Sequence, residues 1–254
     1  MAVFFDSVGT GGYFAEPVLS IGAIEMLWTH TAPAGRQVAV VAGLSYWVYN
    51  GDLVNLTRNV WYGITPMQSL GVKAWTSGAG SGWTELFGLI NPPKGKQLVH
   101  GEILGGFPFV GKLGRANTVS YTGVDGFGAV TNSSGTASGT QSLSATGASA
   151  TKIVAAYGTN NVGLNSFSKD QRYLSNTYCT LLLGDTDGSG SSTTFAASRG
   201  VAGPWGALSV VLNAADITGT ATGVSASPVL HATGRRYARP GTNRRSVFSA
   251  EPES

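Results

Sequence analysis

Three histidines, His30, His100 and His231, are the residue type best suited to proton transfer and metal binding near neutral pH. None lies within five residues of another histidine or of Cys179, so no zinc-ligand pair is visible. Sequence distance alone does not rule out a catalytic triad, because folding joins remote residues. No Gly-x-Ser-x-Gly elbow or Walker A run supports one, however. Gly78-Ala-Gly80-Ser-Gly82-Trp83 breaks the dinucleotide pattern at its last glycine. Glycosidase chemistry needs two facing carboxylates. Glu85 and Glu102, with Glu25 as a third, sit in segments that read as strands, where a solvent-facing carboxylate is the simpler reading. Asp185-Thr-Asp187-Gly188-Ser189-Gly190 has the outline of a calcium loop, but its twelfth position is Ala196 where a Glu is needed. The lone Cys179 excludes an intrachain disulfide and a cysteine-based zinc site. The expectation is a chain with no catalytic centre, no cofactor and no metal.

Two other groups have recognition chemistry. Trp28, Trp47, Trp61, Trp75 and Trp83 crowd the first third of the chain, with Trp205 alone beyond it. Flat aromatic rings stack on the apolar patches of sugars. Trp47 and Trp61 flank the polar turn Asn50-Gly51-Asp52, so Trp47, Tyr49 and Trp61 are candidate glycan contacts, with core packing as the alternative. Arg235, Arg236, Arg239, Arg244 and Arg245 lie within 11 residues, interrupted by Tyr237 and Pro240. Such a cluster suits nucleic acid, an anionic membrane or an acidic protein groove. Residues 1–230 hold 11 basic and 11 acidic residues, so the net charge of +3 belongs to the last 24 residues. A nucleic-acid binder usually shows a broad basic face. The neutral body therefore points to an assembly arm laid on a neighbouring subunit, where guanidinium forks match carboxylates and stack on aromatics. No nucleic-acid partner is expected.

The elements that must position these residues are strands. Only 11% of the residues are charged, against about 25% in typical globular chains. Glycine alone is 37 of 254 residues, and Gly, Ser and Thr together make about a third of the chain, leaving few strong helix formers. Apolar residues at 42% still supply a core. Short apolar or alternating runs recur every 8 to 15 residues between turn residues, the spacing of an all-β sandwich. Strands are predicted over 23–31, 36–45, 59–64, 84–90, 97–103, 118–123, 141–146, 151–157, 178–183, 192–197 and 207–212. The 36–45 run is Val-rich and reads as more buried. Asn91-Pro92-Pro93-Lys94-Gly95 is a strong stop. Residues 131–149 read as loop plus edge strand, and 185–192 as a loop. No stretch of 12 or more residues holds a helical period. Val38 to Leu44 is far shorter than a membrane span of about 20 residues. The first residues lack the pattern of an export signal. The expected organisation is an antiparallel, jelly-roll-like β-sandwich over 1–213. Residues 214–254 follow as a small-residue linker and an extended C-terminal arm.

Several segments, in order, resemble a known family: Val60-Trp-Tyr-Gly-Ile-Thr-Pro-Met67, Glu85-Leu-Phe-Gly-Leu-Ile-Asn-Pro-Pro93, Asn117-Thr-Val-Ser-Tyr-Thr-Gly-Val-Asp-Gly-Phe-Gly128, Gln171-Arg-Tyr173 before Leu181-Leu-Leu-Gly-Asp185, and Gly203-Pro-Trp-Gly-Ala-Leu-Ser-Val-Val-Leu-Asn213. Over residues 2–213 the chain is similar to the β-sandwich virion proteins of actinobacterial phages known as minor tail proteins. The resemblance implies a non-enzymatic structural protein of a siphovirus particle, made in the host cytoplasm and housed in the virion. It also implies other virion proteins as partners and a homo-oligomer. A capsid decoration protein and a carbohydrate-binding module for host-envelope glycan are the alternative readings.

Overall fold

The computed structural model describes residues 1–20, 23–49, 56–77, 80–104, 110–160 and 163–215. Every regular element in them is a strand, and all pairings are antiparallel. The expected arm and its arginines lie outside the described residues. The first ten strands are β1 (Phe4–Val8), β2 (Gly12–Ser20), β3 (Ile24–Ala32), β4 (Val38–Tyr49), β5 (Thr57–Tyr62), β6 (Thr65–Pro66), β7 (Gln68–Ser77), β8 (Gly80–Ile90), β9 (Gly95–Leu104) and β10 (Val110–Thr122). The last eight are β11 (Val124–Gly135), β12 (Gly139–Thr146), β13 (Lys152–Thr159), β14 (Ser166–Phe167), β15 (Asp170–Ser175), β16 (Thr180–Asp187), β17 (Ser192–Arg199) and β18 (Trp205–Ala214).

They form four sheets. Sheet A runs β1-β10-β4-β8-β7, with β2 also on β10, and sheet B runs β3-β9-β5-β6. Sheet C runs β11-β18-β13-β16-β15, and sheet D runs β12-β17-β14. The same wiring occurs twice. Leave β1 aside, count β5 and β6 as one position, and number each half from one to eight. Both halves then order one sheet 1-8-3-6-5 and the other 2-7-4.

Burial shows how the sheets stack. Even-numbered β4 residues from Val40 to Val48 pack with Ile24, Met26, Trp28, Val60 and Val99 of sheet B. The odd residues Ala39 and Val41 pack with Val154, Ala156, Leu183 and Leu208 of sheet C. On β13 the neighbouring Ile153, Ala155 and Tyr157 turn the other way, toward Leu143 and Phe195 of sheet D. The layers therefore run B, A, C, D. The inner sheets are buried on both faces, so their strands read as near-continuous apolar runs, such as Val38-Ala-Val-Val-Ala and Ile153-Val-Ala-Ala-Tyr. The outer sheets have one wet face, and β3 alternates strictly with Ile24, Met26 and Trp28 inside. The Val-rich run expected at 36–45 is buried from Val38 onward, with Arg36 exposed.

Where A meets C, glycines allow the backbones to come close. A Cβ on Gly43 would strike Leu183, and one on Gly158 would strike Thr84 and come within 2.6 Å of Ser45 Oγ. The join also has polar ties. Trp75 Nε1 donates to Thr84 Oγ1 at 3.1 Å, and Thr84 donates in turn to the Gly206 carbonyl at 2.9 Å.

Residues 131–149 hold the end of β11 and β12, both edge strands, with loop between them, as expected, whereas β16 runs on to Asp187 into the segment expected to be a loop. In addition, β1, β2, β7, β11 and β15 escape the sequence reading. In β11 the reason is visible in the residues, since its Gly- and Ser-rich run carries few apolar side chains and none of its residues after Val124 is buried. Gly158→Ala should destabilise the fold by about 1–3 kcal/mol through overpacking. Gly126→Ala, whose Cβ meets nothing within 4 Å, should be close to neutral. Denaturant midpoints of the two variants check this.

Candidate functional site

The one arrangement reminiscent of a catalytic relay joins β1, β3 and β10. Ser7 Oγ lies 3.1 Å from His30 Nε2 and 2.8 Å from Ser120 Oγ, and Ser120 donates to Asp6 Oδ2 at 2.8 Å. Proton counting argues against a nucleophile. Ser7 Oγ also lies 2.9 Å from the Thr31 carbonyl, which can only accept, so the serine proton goes there and Nε2 becomes the donor. The buried Nδ1 has no partner. Burial lowers His30 to about 4, against a small upward pull from Asp6, so the ring is neutral and a poor base. The cluster latches β1 onto β3 and β10.

Glu85 is apart from the other two candidate carboxylates, Glu25 and Glu102, which stand opposite each other on β3 and β9. Glu85 is buried between sheets A and B, where Arg58 Nε stands 3.0 Å from its Oε2 and Ser69 donates to its Oε1 at 2.9 Å. Burial outweighs both and raises it to about 7. Glu25 and Glu102 lie instead on the outer face of sheet B, so Glu85 faces neither across a cleft.

Asp185 is fully buried at the seam between A and C. Arg172 of β15 forks onto it, Nε at 2.7 Å and Nη2 at 3.0 Å, and the Tyr121 hydroxyl of β10 donates at 2.8 Å. Lys152 Nζ lies 3.5 Å from Asp185 and 2.7 Å from Asp187. The Arg172 guanidinium also covers the Phe5 ring at 4.1 Å. Both Asp185 oxygens are engaged by cations, so this segment is a buried charge cluster and not a calcium loop. Among the described residues no group of three or more His, Cys, Asp or Glu could hold a metal. A recess of about 350 Å³ beside the cluster is lined by Phe5, Lys152, Arg172 and Asp187, among others. Cys179 is buried, and its thiol is pushed up to about 12 by desolvation, so it stays protonated.

The three candidate sugar-contacting residues also part. Trp47 is 2% exposed and stacks on Trp75 at 5.2 Å inside the A–C join. It is a core residue and no glycan contact, because its odd position on β4 points inward. Tyr49 ends β4, and its side chain lies outside those described. Trp61 reaches the surface, half-buried on the outer face of sheet B.

That face is the most distinctive surface of the described residues. Leu27, His100 and Trp61 stand abreast on β3, β9 and β5. Trp61 stacks on His100 at 5.3 Å. The next rung is Glu25, Glu102 and Asn59, and Asn59 Nδ2 donates to Glu102 at 3.4 Å. Leu27 is 55% exposed and Leu98 54%, and Ile64, in the turn between β5 and β6, is 96% exposed. The equivalent face of sheet D carries Thr140, Ser142, Ser144 and Thr146 beside Thr194, Ala196 and Ser198. Like wiring thus holds unlike surfaces. A second feature, missed in the sequence, is Tyr178. It keeps a left-handed backbone (φ 65°), strained for a bulky residue, and stacks on the exposed Tyr13 at 5.6 Å.

Neither family models nor curated proteins nor solved structures contain a match to this chain.

Two buried groups set opposite pH slopes. The folded value of His30 lies below its ordinary 6.5, so its contribution is present above 6.5 and is lost as pH falls through about 4. That of Glu85 lies above its ordinary 4.5, so its contribution is present below 4.5 and is lost as pH rises through about 7. Each spans roughly 3 kcal/mol. Relative to wild type, His30→Gln should lose stability as pH rises from 4.5 to 6.5, and Glu85→Gln should gain it. Urea titrations across that window check both signs.

Proposed function

We propose that this chain is a non-enzymatic structural component of a siphovirus particle, a minor tail protein that assembles on the tail or its tip. The observation that carries this reading is the four-layer stack. Two sandwiches share a largely apolar join, and what remains for contact is the outer faces and edges, of which the sheet B face carries exposed aliphatic, aromatic and acidic side chains. An exposed apolar platform on a sparsely charged body is a contact surface for another macromolecule. Strands that pass back and forth between the two sheets of each half support a jelly-roll wiring, which occurs in viral coat proteins and lectins. Low charge and many Ser and Thr suit polar, wet contacts in a lattice. The same block and face would serve a capsid decoration protein, and labelling distinguishes the two stations. A sugar platform has less support, since Trp47 is buried in the join and does not share a surface with Trp61.

Purified particles should contain the chain by mass spectrometry, and immunogold should mark the tail. Label on the head would support decoration. Absence from particles would overturn both. Removing residues 235–254 should abolish incorporation while leaving the strand signal in circular dichroism intact.

A further inference from the structure

We propose that the Arg-rich segment, residues 231–254, of one copy docks on the outer face of sheet B of the next. Its guanidinium groups would close on Glu25 and Glu102, and Tyr237 and neighbouring arginines would stack against Trp61 and His100. The inference rests on reading the chain as an assembling structural protein, and it names the joint.

Four observations converge on this face. Glu25 and Glu102 are direct cross-strand partners on a wet sheet face, and opposed like charges destabilise a sheet. Among the described residues no Lys or Arg forms an ion pair with either. The pair is therefore a ready acceptor for guanidinium, whose planar fork matches carboxylates. Beside it, the stacked Trp61 and His100 offer ring faces to a cation, and Leu27, Leu98 and Ile64 offer apolar surface. Exposed aliphatic side chains fit a polypeptide better than a sugar. The matching face of sheet D serves as an internal comparison. The positions opposed there are Ser142 with Ala196 and Ser144 with Thr194, with neither charge nor ring. The acidic and aromatic character is thus not a by-product of the wiring.

The segment has complementary chemistry. Its five arginines are the one concentration of positive charge on a chain whose first 230 residues balance, and Tyr237, Val247 and Phe248 add apolar groups. The 15 residues from 216 to 230 reach about 50 Å when extended, enough to cross to a neighbour. Face and segment are different surfaces, so the contact is head-to-tail and builds rings or filaments.

The test uses the full chain in sedimentation at low and high salt. Wild type should self-associate at low salt and disperse at high salt. Glu25→Gln/Glu102→Gln should associate at least about tenfold more weakly, as should Arg235→Glu/Arg236→Glu/Arg239→Glu. Mixing the two variants should yield one-to-one dimers, because one keeps its face and the other its segment. Circular dichroism confirms that each is folded. A monomeric wild type, variants that associate like wild type, or a mixture that stays monomeric would each overturn the proposal. So would saturable binding of a host-envelope glycan that is lost in Trp61→Ala, with self-association unchanged in that variant. If the joint fails while the chain still copurifies with particles, the structural-protein reading survives and this inference alone falls.

Discussion

Two sheets buried on both faces set the terms for everything else in this protein. A sheet with one wet face can spend half its positions on polar residues, whereas sheets A and C have no such face over most of their width. This accounts for the unusual composition. Charge is sparse within the stack, and the ionisable groups that enter it are held by partners, by counter-charges at Asp185 and by backbone carbonyls at Arg115 and Arg199. Asp185 is acceptable at the seam because Arg172, Lys152 and Tyr121 surround it. Removing Arg172 would strip Asp185 of the fork that holds both its oxygens, which is far worse than never having built the cluster. The glycines at the join follow from the same constraint, since close backbones leave no room for Cβ atoms at Gly43 and Gly158.

How much of this was legible in the sequence depended on whether a residue's role was local. Strand periodicity is local, so the central strands and the all-β class could be read directly. The run at Val38 showed its two-sided burial because nothing polar interrupts it. The pairing of two sandwiches was not legible, because the halves share wiring rather than motif. Trp47 and Trp61 look alike beside one polar turn, yet they face opposite sides of different sheets. Asp185 sits in a string of turn-forming residues, and only the arrival of Arg172 and Tyr121 explains its burial. The sheet B platform was written in residues that alternate with the core, such as Leu27 and Leu98. A single strand gives no way to tell that the strands beside it hold rings and carboxylates on adjacent rungs.

Repeating one wiring plan and varying only the outer faces separates stability from recognition. The shared core can stay as it is while sheet B and sheet D change independently, since their wet residues touch nothing in the stack. The Ser and Thr face of D and the apolar face of B are two outcomes of that freedom. The strained Tyr178 is different in kind, because its ring stacks on Tyr13 and so joins a residue of the second half to one of the first.

The shared join also bears on how the chain comes to be folded. Synthesis delivers sheets A and B first, and the second face of sheet A has nothing to cover it until residues 124–214 follow. For that interval Ala39, Val41, Leu86 and Val119 form an open apolar surface on a nascent chain. The later half is then less a second domain than the lid that the first half waits for. Crowding of many nascent copies would be most hazardous in that interval, before the lid arrives.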